Sequence, residues 1–160
     1  MKHRLLFVCL GNICRSPLAE AVFRSIVKQR GIENHFEIDS AGTGSWHIGH
    51  PPDKRMRATA EAHEVSMEGI RGRQFGVEDF DRYDHIFAMD RDNLHDILFL
   101  KPDSDSEEFR VRLFREADPE PGEYQVPDPY YGGDDGFEEV YQIVDRTCQA
   151  LVDAFEESSI

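Results

Sequence analysis

The chain has 160 residues, 32 acidic against 18 basic, and a net charge of −14. That length suits one domain burying roughly two thirds of its unfolded surface, and residues 1–160 are expected to form it. The charge excludes a nucleic-acid or anionic-membrane surface, which needs a basic stripe, and no stretch approaches the roughly 20 apolar residues of a membrane span.

Three cysteines, Cys9, Cys14 and Cys148, are too few for a disulfide framework and suit a reducing compartment. The opening "MKHRLLFVCL" imitates a signal peptide. Its apolar run from Leu5 to Leu10 is shorter than the usual core of about 7–15 residues, so a cytoplasmic location is expected. Arg4 to Val8 has the composition of a short buried strand. From Pro17, Leu18, Val22 and Ile26 recur at helical spacing as far as Gly31, and Ser16-Pro17 reads as the helix start with Ser16 as N-cap. His35 to Ser40 is a second strand running into "AGTGSW". Asp53 to His63 reads as a helix, His85 to Met89 as a third strand, Arg91 to Leu100 as a helix and Phe109 to Phe114 as a fourth strand. Phe137 to Phe155 is an amphipathic helix with Val140, Val144, Cys148, Leu151 and Phe155 on one face, which makes Cys148 a buried residue. Alternating strands and helices imply right-handed crossovers and a parallel sheet. The segments 101–109 and 115–136 are acidic and rich in Pro and Gly, with "DSDSEE" and "GGDD" expected to be solvated loops. The second segment is long enough to be functional or mobile, and its adjacent Tyr130 and Tyr131 favour function.

The chemistry concentrates between the first strand and the first helix. Cys9 and Arg15 form a C-x5-R pattern, weak by itself but placed where an open parallel sheet binds ligands, at the carboxyl end of a strand facing a helix N-terminus. A tetrahedral oxyanion there meets the backbone amides of Leu10, Gly11, Asn12, Ile13 and Cys14, the helix dipole and the bidentate guanidinium of Arg15. The same positive surroundings favour a thiolate at Cys9. Gly11 permits the tight turn, Asn12 holds the loop or takes a left-handed conformation, and the Ser16 hydroxyl is placed to stabilise the thiolate as nucleophile and leaving group. Expelling an alkoxide or phenoxide needs a general acid, and Asp128, stiffened between two prolines, supplies one. Tyr130 and Tyr131 lie just beyond it, and Trp46 sits on the same sheet edge, so aromatic walls suit a flat aromatic substrate.

Together "CLGNICRS", "DSAGT", Met89-Asp90 and "DPYYGG" resemble, in order and over essentially the whole chain, the low-molecular-weight protein tyrosine phosphatases. The resemblance implies a four-stranded parallel sheet with helices on both faces and a cysteinyl-phosphate on Cys9. It implies phosphate held by Arg15 and the loop amides, and Asp128 as general acid then base. It further implies that Asn12 and Ser16 organise the loop with help from Ser40, that Trp46 and Tyr130 line the cleft, and that a tyrosine-phosphorylated protein is the substrate. No cofactor and no metal are implied. Ile70 stands before "RGRQ" where many relatives carry a histidine that joins the network behind the loop, which leaves open how Asn12 is held. An arginine-phosphatase branch carries threonine at the place of Ile13, whose branched alkyl group should favour phosphotyrosine.

Blander or different roles compete at several positions. Cys14 is either structural or the partner of Cys9 in a reversible disulfide. His47 and His50 in "HIGH" lack a matching third ligand and are expected to be ordinary loop histidines. "DRDNLHD" lacks the Gly and distal Glu of a calcium loop, and Asp90 is taken as support for the cradle. A thioredoxin-coupled arsenate reductase would use the same cradle but needs relay cysteines, and none lies between Cys14 and Cys148. A catalytically silent phosphoanion-binding or redox-sensing module would be favoured if Asp128 failed to reach the cradle.

Overall fold

The computed structural model of the chain describes residues 2–102, 110–130 and 133–158. The "DSDSEE" run, Phe109 and Tyr131 lie outside them. Strand β1 (His3–Cys9) is central, with apolar side chains on both faces from Leu5 to Val8, as a strand covered on both sides requires. It is flanked by β2 (Phe36–Gly42) and β3 (His85–Ala88), and β4 (Val111–Leu113) follows β3, so the parallel sheet runs in the order β2-β1-β3-β4.

Helices cover both faces. Leu5 and Phe7 share one core with α1 (Arg15–Gln29), α2 (Lys54–Ala62) and α5 (Asp134–Ser158). In it the Phe7 ring lies 5.6 Å from Phe87 and meets Phe114 edge-on at 5.7 Å. Leu6 and Val8 face the second core, formed with Phe80 of α3 (Asp79–Arg82) and Ile97 of α4 (Arg91–Phe99). The register pairs Cys9 with Gly42 and Val8 with Ala88, which levels the carboxyl ends of three strands. Because β2 and β3 lie on opposite sides of β1, the end of β1 is the switch point where such sheets leave a crevice.

Three expectations are corrected. Helix α1 begins at Arg15, with Cys14 in the cap position and no side-chain cap bond; Ser16 is not the N-cap but lies in the first turn. Pro17 is still early enough in the helix for its missing N–H to cost nothing, since those donors have no intrahelical partner. Residues 134 and 135 of "GGDD" open α5 rather than lying in a loop. The fourth strand is shorter than its apolar stretch, because Phe114 leaves it for a 3-10 turn (Phe114–Ala117). Gly31 does end α1, at φ +71°, with its N–H on Lys28 O and the Ile32 N–H on Val27 O. Cys148 is fully buried, and burial pushes its thiol up. Among the described residues no helix is long and apolar enough to cross a membrane.

Candidate active site

The turn between β1 and α1 folds around the sulfur of Cys9. Asn12 adopts φ +56°, a left-handed conformation that asparagine tolerates better than most residues, and this aims its N–H at Cys9 Sγ, 3.3 Å away. The Ser16 hydroxyl lies 3.0 Å from the same sulfur and 3.2 Å from Ala41 O. The strand beside the turn must lack a side chain at one point: a Cβ on Gly42 would come 2.7 Å from Leu10 O and 3.0 Å from Asn12 N.

A buried polar network holds Asn12. Its Nδ2 donates to Ser16 Oγ at 2.8 Å and Ser40 Oγ at 3.0 Å, and Ser40 donates to Glu20 Oε1 at 2.7 Å. Burial pushes the Glu20 carboxyl up, against the pull of Ser40 and Arg24. Asn12 Oδ1 accepts the main-chain N–H of Arg73 at 3.0 Å. Arg73 is itself fixed by Asp79 and Asp39, which outweigh its burial and raise its pKa. The main chain of Arg73 thus holds Asn12 without a histidine at position 70, and Ile70 packs, half-buried, against the core.

Arg15 reaches across from the helix start with a side chain only 3 % exposed. Nη1 donates to Asp90 Oδ2 at 2.6 Å and Val126 O at 3.1 Å, and Nη2 to Asp128 Oδ2 at 3.4 Å. Burial alone would lower its pKa, but Cys9, Asp90 and Asp128 outweigh it. Asp90 also caps α4, accepting the Asn93 N–H at 2.8 Å, so its carboxylate is held from both sides. Asp128 accepts the Tyr130 N–H at 3.0 Å, which orients the carboxyl between its two prolines.

These groups surround a cleft of about 350 Å³. Cys9, Leu10, Gly11, Ile13, Cys14 and Arg15 form one part of its lining, and Trp46, His47, Asp128 and Tyr130 the other. Ser16, Ser40 and Asp90 stand behind this lining. Cys14 is a buried thiol pushed up by burial first, then by Asp53, Cys9 and Asp128.

His47 is the first residue missed from sequence. Far from being an ordinary loop histidine, it lines the cleft, with its ring so close that a Cβ at Gly11 would lie 3.1 Å from its Cδ2. Its ring centroid is 6.3 Å from Tyr130 and 5.5 Å from His50. Its place directly after Trp46 was the available signal. Glu20 was missed too, although an acid inside "LAEAVF" contradicts an otherwise apolar helix face. Arg55 was the third: it donates to Tyr130 O at 3.1 Å and stands 5.7 Å over that ring. Asp53, the cap of α2, is paired with Arg55 and gives its own N–H to Ile13 O at 2.7 Å. The cradle and the Tyr130 wall are therefore tied through one helix start.

The family model described as low molecular weight phosphotyrosine protein phosphatase matches residues 4–159. A low molecular weight protein-tyrosine-phosphatase of Streptomyces coelicolor is 43 % identical over 159 residues, covering 98 % of this chain and 96 % of that protein. The crystal structure of a protein tyrosine phosphatase from Entamoeba histolytica superposes with a TM-score of 0.91 at 37 % identity, covering 99 % and 100 % of the two chains. A drosophila arginine phosphatase superposes at 0.87 with 30 % identity, covering 97 % and 98 %.

Proposed function

The chain belongs to the low molecular weight phosphotyrosine protein phosphatases, and from that membership and the site's geometry we propose that it hydrolyses phosphotyrosine in proteins through Cys9, Arg15 and Asp128. One observation carries these roles: Arg15 sits on the lining beside Cys9 and also touches Asp128, so nucleophile, anion clamp and proton donor face one cleft.

The Cys9 thiolate attacks phosphorus as the bond to the tyrosine oxygen breaks, and Asp128 gives its proton to the leaving phenoxide. Arg15 and the amides of residues 10–14 hold the three equatorial oxygens, where charge spreads in the transition state. The Asp128 carboxylate then takes a proton from water attacking the cysteinyl-phosphate, so that inorganic phosphate leaves and the thiolate is restored. Asn12 and Ser16, with Ser40 behind them, keep donors on the sulfur. Trp46, His47 and Tyr130 face the aromatic ring, and the Ile13 alkyl group favours it over a guanidino phosphate. Free thiols at both Cys9 and Cys14 suit a reducing cytoplasm.

Replacing Cys9 by Ser should leave the fold intact and abolish turnover. Asp128→Ala should cost about 10²–10⁴-fold in kcat on phosphotyrosine peptides and much less on p-nitrophenyl phosphate, whose leaving group needs little protonation. Equal losses on the two substrates would mean that Asp128 positions the loop and protonates nothing. Faster release from phosphoarginine than from phosphotyrosine peptides would overturn the substrate class.

A further inference from the structure

In a chain of 18 basic and 32 acidic residues, the stretch from His47 to Gln74 stands apart, with five basic residues against four acidic. Within it a second groove opens, of about 390 Å³, whose lining includes Pro51, Pro52, Met67, Arg57 and Arg71. Most arginines of the protein are engaged by carboxylates, as Arg4, Arg15, Arg24, Arg30, Arg55, Arg73, Arg115 and Arg146 are. Among the described residues Arg57 and Arg71 are not: Arg57 donates only through Nε, to Pro52 O at 3.0 Å, and Arg71 only through Nη1, to the neighbouring Ile70 O at 2.8 Å. Glu61 and Glu68 share the groove, yet neither pairs with Arg57 or Arg71 among the described residues. Two guanidiniums of one groove thus keep N–H groups for an incoming anion, in a protein of net charge −14.

The groove is built from the same loop as the cleft. His47 lines the cleft and Pro51 and Pro52 line the groove. The loop between them is pinned by the Gly49 N–H on Gly72 O and the Gly72 N–H on His50 O, each at 2.8 Å, beside Arg71. Asp53, directly after Pro52, is hydrogen-bonded to the cradle at Ile13. The loop from His47 to Pro52 thus contributes lining to both the cleft and the groove, which sets Arg57 and Arg71 beside a loop that a bound peptide would contact.

We propose that the groove binds an Asp or Glu side chain of the substrate, close in sequence to its phosphotyrosine, and that Arg57 and Arg71 thereby select acidic peptides. The assignment rests on the phosphatase function proposed above. Arg forks bind carboxylates bidentately, and rim charges act mainly on association and are screened by salt.

The test compares phosphotyrosine peptides carrying Asp and Glu on both sides of the phosphorylated residue with peptides carrying Asn and Gln instead, and uses p-nitrophenyl phosphate as a third substrate. Wild-type protein should prefer the acidic peptides by about three- to tenfold in kcat/KM at low salt, through KM, and lose the preference at about 0.5 M NaCl. Arg57→Gln/Arg71→Gln should remove it, and Arg57→Glu/Arg71→Glu should reverse it, with p-nitrophenyl phosphate hydrolysis unchanged at about 0.5 M NaCl, where surface charge is screened. Hydrolysis of p-nitrophenyl phosphate with no peptide preference in wild type, or a preference that survives in both double variants, overturns the groove alone. Failure of wild-type protein to hydrolyse any of the three overturns the phosphatase function, and the groove's role with it.

Discussion

The Ser16 hydroxyl carries one proton and faces two acceptors, Cys9 Sγ at 3.0 Å and Ala41 O at 3.2 Å, while Asn12 Nδ2 occupies one of its two lone pairs. When Cys9 is a thiol it can donate to Ser16, whose own proton then points at the Ala41 carbonyl; when Cys9 is an anion the Ser16 proton turns to the sulfur. The network behind Asn12 fixes the oxygen between those choices. Such a sulfur is open to peroxide, which converts the thiolate to a sulfenic acid. Cys14 lines the same cleft, and its thiol can condense with that acid, releasing water and forming a disulfide that dithiothreitol reduces. Burial holds Cys14 protonated, so the condensation should quicken as pH rises. Cys14→Ser is expected to keep turnover within about threefold, because no donor to phosphate or sulfur is lost, and to lose recovery by dithiothreitol after peroxide. Full recovery of that variant, or no Cys9–Cys14 link in mass spectra of oxidised protein, would leave Cys14 a packing residue.

The loop bearing Asp128 is held by an element that composition concealed. Asp118 lies in an acidic, proline-rich stretch, yet its side chain is fully buried, accepting Arg146 Nε at 2.7 Å, Arg146 Nη2 at 3.0 Å, Arg115 Nε at 2.9 Å and the Glu120 N–H at 2.8 Å. Arg115 then closes the turn by donating to Glu120 O at 2.7 Å and Gln125 O at 2.8 Å. Directly after it the Val126 N–H binds Met89 O, and Val126 O receives Arg15. Helix α5 therefore ties, through a buried ion cluster, into the loop that carries Asp128, the proposed general acid. Burial would raise the Asp118 carboxyl, but Arg146, the Glu120 amide and Arg115 outweigh it and hold its pKa below the usual value. A carboxylate depressed in the fold binds fewer protons there than when unfolded. Its contribution is thus complete above the ordinary carboxylate range of about 4 and is lost as pH falls through the depressed value. Asp118→Asn, which removes the carboxylate shared by Arg115 and Arg146 and leaves Arg146 only the more distant Glu120, should cost about 3 kcal/mol at pH 7 and flatten the loss of stability in acid. If Asp118 positions Asp128, kcat should also fall further on phosphotyrosine than on p-nitrophenyl phosphate. A stability loss with equal effects on both substrates would make the cluster structural only.

What could be read along the chain was what the chain keeps local. The alternation of apolar runs yields the parallel sheet, and Cys9, Asn12, Arg15 and Ser16 sit within eight positions, so one loop carries them. What escaped was brought from afar: the Arg73 amide on Asn12 across 61 positions, Glu20 on Ser40 across 20, Arg146 on Asp118 across 28. Charge is the property that only the whole molecule sets. At −14 the protein repels a dianionic aryl phosphate at long range, while Arg15 and the cradle attract it at contact. Salt separates the two. The Debye length falls from about 30 Å at 0.01 M to about 10 Å at 0.1 M, which weakens repulsion by distant surface carboxylates and barely touches a guanidinium whose side chain is 3 % exposed. The kcat/KM for p-nitrophenyl phosphate should therefore rise, by about two- to fourfold, as NaCl increases over that range. The ratio of acidic to neutral peptide hydrolysis should fall over the same range, because Arg57 and Arg71 lie where salt reaches them. Opposite slopes in one titration would separate the global field from the local one. A steady fall of p-nitrophenyl phosphate hydrolysis from the lowest salt would show that the positive cradle, not the acidic surface, governs the approach of the anion.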